Sequence, residues 1–367
     1  MRAITVWKPE SRATSPSSSV LSGADGLSRA AADHVRRAIA GAGGAIRFDD
    51  FVAIALYGEH GFYTRGGGRA GRRGDFLTSP EVGPLFGAVI ARALDAWWEE
   101  LGRPDPYIVV DAGAGPGTLA RAVMAAQPRC AHALSYRAVE LSAAQRAAHP
   151  PTVTSLAAMP EQRFTGVIIA NELLDNLPFR LFVFDGGWRE AYVAHDGLRF
   201  VERLVAPPEV PASLPGVAAH GSRVAVHDAA REWVNDAVSL LNRGRLVVID
   251  YCSNTTSMTT RPWREWLRTY VGHERGVHYL ASVSEQDITV EVAVDQLPRP
   301  TTVSTQAAFL HTHGIEDLVA EGQAAWQRAA SHPDLAALNM RSRIREAEAL
   351  LDTSGLGSFS VLQWVVN

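Results

Sequence analysis

An apolar run that ends in three alternating glycines is the feature that most constrains how this chain can fold. The run Tyr107–Val110 leads into Asp111, and Gly113, Gly115 and Gly117 follow before a helix-like stretch from 118 to 126. Glycine reaches left-handed backbone conformations and lets other groups approach the backbone closely. A strand, a glycine turn and a helix in this order predict the start of an α/β fold with a ligand at the turn.

The alternation of strand and helix continues beyond this turn. Further strands are predicted at Tyr136–Leu141, Thr152–Leu156, Gly166–Leu174 and Gly244–Tyr251, with a helix at about Val224–Leu241 and a closing strand at Phe359–Val366. Such alternation is typical of a parallel sheet that is covered by helices on both faces. The predicted fold class is therefore α/β, with a Rossmann-like and mainly parallel sheet.

Composition shifts along the chain predict three regions. Residues 1–25 are rich in Ser and Pro and are expected to form a flexible tail, and residues 26–104 an N-terminal helical and lid segment. Residues 105–367 are predicted to form the α/β domain, with insertions at about 180–220 and 252–345. The first insertion contains an antiparallel β meander, whose apolar hairpin at 180–203 is expected to form either a homodimer surface or part of a groove.

Charge and hydropathy exclude several classes of partner. The 367 residues carry a net charge of −4 at pH 7, so no basic field indicates binding to nucleic acid. No stretch reaches the roughly 20 apolar residues that a membrane-spanning helix needs. Cys130 and Cys252 have no neighbours at metal-ligand spacing, so no metal site is predicted.

The N-terminal residues and the choice of basic side chain bear on the cellular setting. The first residues lack the uninterrupted apolar core of a secretory signal, so a cytoplasmic location is expected. Lys8 is the sole lysine, and every other basic side chain is Arg. Together with abundant Ala, this bias is typical of a GC-rich bacterial genome.

The spacing of the glycines discriminates between nucleotide-binding motifs. A dinucleotide-binding G-x-G-x-x-G would place its third glycine at position 118, which is Thr118, and no Gly-Lys-Ser/Thr follows as in a P-loop. The pattern D-x-G-x-G-x-G matches the first motif of class I methyltransferases that use S-adenosylmethionine (SAM). The alternative is a tight turn from strand to helix without a ligand.

The predicted cofactor-binding residues follow from this match. They are Asp111, Gly113, Gly115, Gly117 and, at the end of the next strand, Glu140. Side chains at Gly113 and Gly115 are expected to collide with the cofactor. The Glu140 carboxylate is expected to accept hydrogen bonds from both ribose hydroxyls. In the alternative interpretation, Glu140 is a solvated strand end.

A second polar cluster follows the buried strand at 166–174. Ligands of open α/β sheets bind beyond the carboxyl ends of the strands, where Asn171, Glu172 and Asp175 are expected. Two carboxylates at this edge suit a cationic acceptor or a sulfonium. All three are predicted catalytic residues, and Asn171 is also a predicted cofactor-binding residue. The alternative is a helix start capped by Asn171.

A Gly/Arg-rich loop precedes the helix that begins near Pro80. Gly74, Phe76 and Ser79, together with Asp75, are predicted to form a lid over the cofactor. Ser79 is also a favourable N-cap with Pro80 at the first helical position. The alternative is a connector with solvated arginines.

Three motifs in order resemble the MidA/NDUFAF7 family of SAM-dependent methyltransferases. They are GRRGDFLTSPEVGPLFG at 71–87, DAGAGPGTLA at 111–120 and NELLDNLPF at 171–179. Tyr57, Gly61, Phe62 and Tyr63 also match, as do the segments LRTY, EQDITVEV and TQAAFLHTHGI. The resemblance spans about 44–367. One position departs from it, because Glu291 stands where the family has a histidine.

The resemblance implies a class I methyltransferase fold over 105–367, SAM as cofactor and a protein substrate. It also implies transfer to arginine, because the mitochondrial member dimethylates an arginine of a respiratory complex I subunit. A guanidinium is a poor nucleophile, so it needs carboxylates such as Glu172 and Asp175 to orient it and accept a proton. Two alternatives stay open: a methyltransferase for another acceptor, and a SAM-binding assembly factor with little turnover.

Overall fold

The computed structural model describes residues 23–64, 78–272, 274–329, 331–332 and 334–367. The chain forms two compact units. The first unit takes its described residues from 1–68, 174–234 and 252–298, and the second from 69–173, 235–251 and 299–367. Each unit is built from segments that are distant in the sequence.

The helices of the described residues are α1 (Gly23–Gly41), α2 (Phe48–Tyr57), α3 (Ser79–Val82), α4 (Pro84–Glu100), α5 (Thr118–Ala125), α6 (Ala143–Arg146), α7 (Asp228–Ser239), α8 (Thr255–Thr260), α9 (Gln306–Thr312), α10 (Ile315–Ala329) and α11 (Leu335–Leu351). Single 3₁₀ turns lie at Arg129–His132, Leu174–Asn176, Trp263–Glu265, Val294–Gln296 and Leu356–Ser358.

The strands are β1 (Ala45–Arg47), β2 (Tyr107–Ala112), β3 (Leu134–Val139), β4 (Thr154–Leu156), β5 (Phe164–Asn171), β6 (Arg180–Phe184), β7 (Trp188–His195), β8 (Phe200–Val205), β9 (Arg223–Val226), β10 (Leu241–Asp250), β11 (Cys252–Ser253), β12 (Leu267–Val271), β13 (Glu274–Arg275), β14 (Asp287–Val290), β15 (Val292–Ala293), β16 (Thr302–Thr305) and β17 (Ser360–Val366).

The second unit contains a seven-stranded sheet in the order β16-β17-β10-β5-β2-β3-β4. The five strands from β10 to β4 pair in parallel, and β17 and β16 extend the sheet in antiparallel pairing. Apolar residues of α4 and α5 pack with those of the sheet in one buried core. The predicted α/β class with a Rossmann-like, mainly parallel sheet is confirmed.

Two predicted helix starts are wrong. The helix predicted from Val224 begins instead at Asp228, because Arg223–Val226 pair with β6 as strand β9. Ser79, predicted as an N-cap, is instead the first residue of α3 with Thr78 at the N-cap, and the predicted helix is divided at Gly83 into α3 and α4. The Glu346 carboxylate accepts a hydrogen bond from the Leu85 N–H at 2.8 Å and thereby caps α4 from outside the helix.

The first unit is dominated by antiparallel pairing. Strands β6, β7 and β8 form the predicted meander, and β1 and β9 extend it. A separate three-stranded sheet has the order β13-β12-β14. The role predicted for the hairpin at 180–203 in a dimer or a groove stays a prediction, as do the predicted domain boundaries.

Three central strands of the second unit approach one another closely at two glycines. A Cβ atom on Gly166 of β5 would lie 1.9 Å from the Ile108 carbonyl oxygen of β2. A Cβ atom on Gly244 of β10 would lie 1.8 Å from the Gly166 carbonyl oxygen. Backbone atoms cannot yield as a flexible side chain can, so any larger residue here must displace a strand.

We expect Gly166→Ala to lower the free energy of unfolding by about 3 kcal/mol or more, since the new methyl group overlaps the backbone of β2. Gly187→Ala is the matched control, because Gly187 has nearly the same φ (156° against 159°) and open space around its Cβ position. Its cost should be limited to backbone strain of about 1 kcal/mol. Thermal and denaturant unfolding measure both; equal losses would show that the close approach is not a constraint.

Candidate functional site

The glycine turn lies at the carboxyl end of β2 in the second unit. The backbone N–H groups of Gly113 and Ala114 both donate to the Val139 carbonyl of β3 at 3.0 Å. Gly113, Gly115 and Gly117 have φ angles of 74°, 53° and 78°, which lie in the left-handed region. The sequence therefore needs glycine here for its backbone conformation.

Neighbouring protein atoms also restrict these positions. A Cβ atom would lie 3.1 Å from Leu173 Cδ1 at Gly113, and 3.2 Å from Gln145 Oε1 at Gly115. At Gly117 it would lie 3.0 Å from Pro150 Cδ. These contacts add a constraint that the sequence did not indicate. The predicted collision of such side chains with the cofactor stays a prediction.

Glu140 lies directly against the glycine turn. Its Oε2 accepts a hydrogen bond from the Gly115 N–H at 3.1 Å, and its Oε1 accepts one from the Ser142 N–H at 2.7 Å. A carboxylate oxygen can accept two hydrogen bonds, so both oxygens keep acceptor capacity. The geometry fits the predicted contact with a ribose diol, because the carboxylate is held in place and still accepts.

Asp111 is buried near the end of β2. Its Oδ2 accepts a hydrogen bond from the Tyr136 hydroxyl of β3 at 3.0 Å. Burial raises the pKa of Asp111 to about 7, although the hydrogen bond from Tyr136 acts in the opposite direction. The contact joins the two strands that carry the glycine turn and Glu140. The direct cofactor contact predicted for Asp111 stays a prediction.

Asn171 and Glu172 lie at the carboxyl end of β5, the neighbour of β2. Asn171 pairs with Ile249 of β10, and the Glu172 N–H donates to the Ile249 carbonyl at 2.8 Å. Glu172 has a φ of 51°, a left-handed conformation that costs a non-glycine residue about 1 kcal/mol. A single 3₁₀ turn at Leu174–Asn176 follows in place of the helix that Asn171 was alternatively expected to cap.

One polar atom of the Asn171 side chain makes no hydrogen bond to the described residues. Its Nδ2 donates to Glu172 Oε1 at 3.0 Å. Its Oδ1 is buried and has no hydrogen-bond partner within the described part of the chain. A buried acceptor without a protein partner is rare, and such atoms are satisfied by ordered water or a bound group, or belong to a functional site. Because Gly113 lies against Leu173, this atom belongs to the same edge of the sheet as the glycine turn.

Of the predicted lid residues, the structure describes Ser79. Gly74 and Phe76 lie outside the described residues, as does Asp75. Ser79 is fully buried, and its hydroxyl donates to Gln306 Oε1 at 2.8 Å. The Gln306 amide also donates to the Leu350 carbonyl at 3.2 Å. Ser79 thus connects α3 to the C-terminal helices, and its predicted role toward the cofactor stays a prediction.

Asp175 belongs to a buried polar cluster of the first unit. Its Oδ2 accepts a hydrogen bond from the Thr289 hydroxyl of β14. Next to it in the sequence, Asn176 donates from Nδ2 to both oxygens of Asp287, at 3.1 and 3.3 Å. The Tyr63 hydroxyl donates to Asp287 Oδ1 at 3.0 Å. Three distant segments of the chain therefore meet around two carboxyl groups.

The carboxyl groups of this cluster titrate near neutrality. Burial raises the pKa of Asp175 to about 6, and the hydrogen bond from Thr289 acts in the opposite direction. Burial and the charge of Asp175 raise the pKa of Asp287 to about 7. Arg268 favours the ionised form of Asp175. Burial therefore favours the protonated forms of Asp175 and Asp287 relative to exposed carboxyl groups.

Sequence reasoning missed Asp287 and Tyr63 as site candidates. Both lie in segments that carry the family resemblance, and this signal could have selected them. Glu291 forms ion pairs with Arg261 and Arg268, at 2.5 and 3.0 Å. The residue that departs from the family pattern therefore forms ion pairs with two guanidinium groups in the first unit.

Comparison with known proteins identifies the family. Residues 89–315 match the family model described as "Putative S-adenosyl-L-methionine-dependent methyltransferase". The chain belongs to this family. A crystal structure from Burkholderia thailandensis, a "likely methyl transferase" bound to S-adenosyl-homocysteine, is 29% identical with a TM-score of 0.80 and 95% of each chain covered. A native structure from the same organism has 28% identity, a TM-score of 0.75 and the same coverage.

A curated relative matches a short segment of the chain. The chain is 46% identical over 54 residues to the protein arginine methyltransferase NDUFAF7 homolog, mitochondrial, of Drosophila melanogaster. This match covers 15% of the chain and 12% of the relative. The family and the structure with bound S-adenosyl-homocysteine make this protein a SAM-dependent methyltransferase. The Glu140 carboxylate and Asn171 Oδ1 keep acceptor capacity at this edge of the sheet, and their predicted contacts with the cofactor stay predictions.

The residues that the structure describes contain no helix that is long and apolar enough to cross a membrane. Nor do they contain a group of three or more His, Cys, Asp or Glu side chains that could hold a metal ion.

We expect Gly115→Ala to weaken S-adenosyl-homocysteine binding roughly tenfold, about 1.4 kcal/mol, since a side chain at this φ strains the turn that carries the site. Gly102→Ala is the matched control. Gly102 is exposed, has a φ of 80° and has no atom within 4 Å of its Cβ position. Titration calorimetry measures both; unchanged affinity in Gly115→Ala, or an equal loss in Gly102→Ala, contradicts the assignment.

Proposed function

We propose that this methyltransferase transfers a methyl group to an arginine side chain of a protein substrate. The observation that carries the proposal is the Asn171–Glu172 pair, in which a carboxylate on a left-handed backbone accepts a hydrogen bond from Asn171 at the carboxyl end of β5. The name of the Drosophila relative and the family resemblance support an arginine acceptor. A subunit of a respiratory complex is the first protein to test.

Cofactor and acceptor make different demands on the protein. SAM supplies an activated methyl group on a sulfonium, so the hard chemistry belongs to the cofactor. The chain has to hold the acceptor in line, exclude water and take up a proton. A guanidinium stays protonated in water, so it becomes nucleophilic only where carboxylates localise its charge on particular nitrogens.

Glu172 can supply the carboxylate that localises the charge of the guanidinium. Its backbone N–H is tied to Ile249 and its carboxylate accepts from Asn171, so the side chain is fixed before a substrate arrives. Preorganised charge stabilises a transition state without the cost of reorganisation. Asp175, whose pKa lies near neutrality, is the second candidate for accepting a proton.

We expect Glu172→Gln and Asp175→Asn each to lower the rate of methyl transfer at least tenfold, because an amide neither neutralises a guanidinium nor accepts its proton. Affinity for S-adenosyl-homocysteine should change less than threefold. Single-turnover transfer and calorimetry on the same preparations separate the two effects. A collapse of cofactor affinity would instead place the residue in the cofactor site.

The rate of transfer should rise with pH through about 6, as Asp175 loses its proton. Thr289→Val should move this rise to higher pH, because the lost hydroxyl stabilises the ionised form of Asp175. Thr289→Ser keeps the hydroxyl and should leave the profile in place. A Thr289→Val profile that coincides with the wild type would show that Asp175 does not control the rate.

The acceptor can be identified directly. The purified protein is incubated with methyl-labelled SAM and a lysate of its own host, and the labelled residue is identified after hydrolysis. Label in dimethylarginine on one discrete protein supports the proposal and names the partner. Label on another side chain or on a small molecule keeps the methyltransferase and overturns the arginine acceptor.

The alternative of an assembly factor with little turnover has one favouring observation, Glu291 in place of the family histidine. It predicts S-adenosyl-homocysteine binding without label in any acceptor. The transfer rates of the wild type and Glu172→Gln distinguish the two functions. A wild-type protein without turnover has no transfer rate that this variant could lower.

A further inference from the structure

Gly115 is held by side chains at both of its backbone polar groups. Its N–H donates to Glu140 Oε2 at 3.1 Å, and its carbonyl oxygen lies 2.8 Å from His149 Nε2. Glu140 was predicted from the sequence as a cofactor contact, whereas His149 carries no prediction. A carbonyl oxygen only accepts hydrogen bonds, so Nε2 must carry the proton in this contact.

Ser155 contacts the other nitrogen of the His149 ring. Its hydroxyl oxygen lies 2.8 Å from Nδ1, on the opposite side of the ring from Gly115. In the neutral ring with a proton on Nε2, Nδ1 is an acceptor and the Ser155 hydroxyl donates to it. In the protonated ring both nitrogens donate, and the hydroxyl can accept instead. The bond to Gly115 is therefore available in either protonation state.

The segment 148–150 contacts the turn at two further points. The Arg121 guanidinium donates from Nη1 to the Pro116 carbonyl at 2.8 Å and to the Ala148 carbonyl at 3.1 Å. A Cβ atom on Gly117 would lie 3.0 Å from Pro150 and 3.2 Å from His149 Cδ2. The left-handed turn is thus tied to this segment at Gly115, at Pro116 and at Gly117.

We propose that His149 is a positioning residue for the cofactor, which holds the Gly115 carbonyl and thereby keeps the glycine turn in its binding conformation. The three alternating left-handed glycines have wide conformational freedom, so an isolated turn would sample many shapes. Side-chain bonds that restrict the turn before binding reduce the entropy lost when the cofactor binds. The inference concerns the cofactor and does not depend on which acceptor is methylated.

The test compares four variants by S-adenosyl-homocysteine calorimetry. We expect His149→Ala to weaken binding about tenfold, because the Gly115 carbonyl loses its partner. His149→Gln keeps an N–H donor and should recover most of the affinity. Ser155→Ala should give an intermediate loss, because the ring can then place its proton on Nδ1. His132→Ala is the matched control. The His132 ring also contacts a backbone carbonyl, that of Arg129, but this carbonyl belongs to the 3₁₀ turn before β3 and not to the glycine turn.

A second measurement separates positioning from folding. Hydrogen exchange of the 113–118 amides in the protein without ligand should become faster in His149→Ala, whereas the amides of β2 and β5 should stay protected. A melting temperature close to that of the wild type is expected. Wild-type affinity in His149→Ala overturns the proposal. So does a loss of affinity that His149→Gln does not recover, or one that accompanies general deprotection of the sheet.

Discussion

The parallel register of β2, β3 and β5 is the constraint on which the site of the second unit depends. Asp111 pairs with Ala138 of β3 and with Ile169 of β5, so the three strands end at nearly the same level. The glycine turn and Glu140 follow these ends directly, and Asn171 is the last residue of β5. Adjacent strands lie about 4.8 Å apart, so the register places these groups together before any side chain forms a bond.

The polar groups at this edge fall into two kinds. Those that shape the turn are satisfied within the protein, as when Gly115 donates to Glu140. Asn171 Oδ1, by contrast, is buried without a partner in the described residues, and Glu172 is held in a left-handed conformation. A fold retains such costs only where the surroundings enforce them, and they concentrate at functional sites. The carboxyl end of β5 is therefore one part of the sheet where a ligand would relieve an existing cost.

The sequence predicted the sheet well because its signals are local. The glycine spacing after β2 and the apolar run of β5 each report the conformation of a few neighbouring residues. The start of α7 was wrong because the pairing of Arg223–Val226 with β6 is a tertiary contact that no local pattern encodes. Likewise, the division between α3 and α4 depends on Glu346, which lies far along the chain.

The same distinction explains which site residues were found. Glu140 and Glu172 follow strands directly, so position in the sequence was enough to select them. His149 acts through a bond to Gly115, and Asp287 meets Asn176 only after the first unit has folded. Neither contact has a sequence spacing that repeats in unrelated proteins. Asp287 lies in a segment that carries the family resemblance, yet such a segment does not show which of its residues contact other parts of the chain.

Charge balance unites the buried groups of the first unit. Asp175, Asp287 and Glu291 supply three carboxyl groups, whereas Arg261 and Arg268 supply two guanidinium groups, and Glu291 contacts both of these. Full ionisation would leave one excess negative charge in a buried region, which is costly. A proton on Asp175 or Asp287 removes that excess, which agrees with raised pKa values for both.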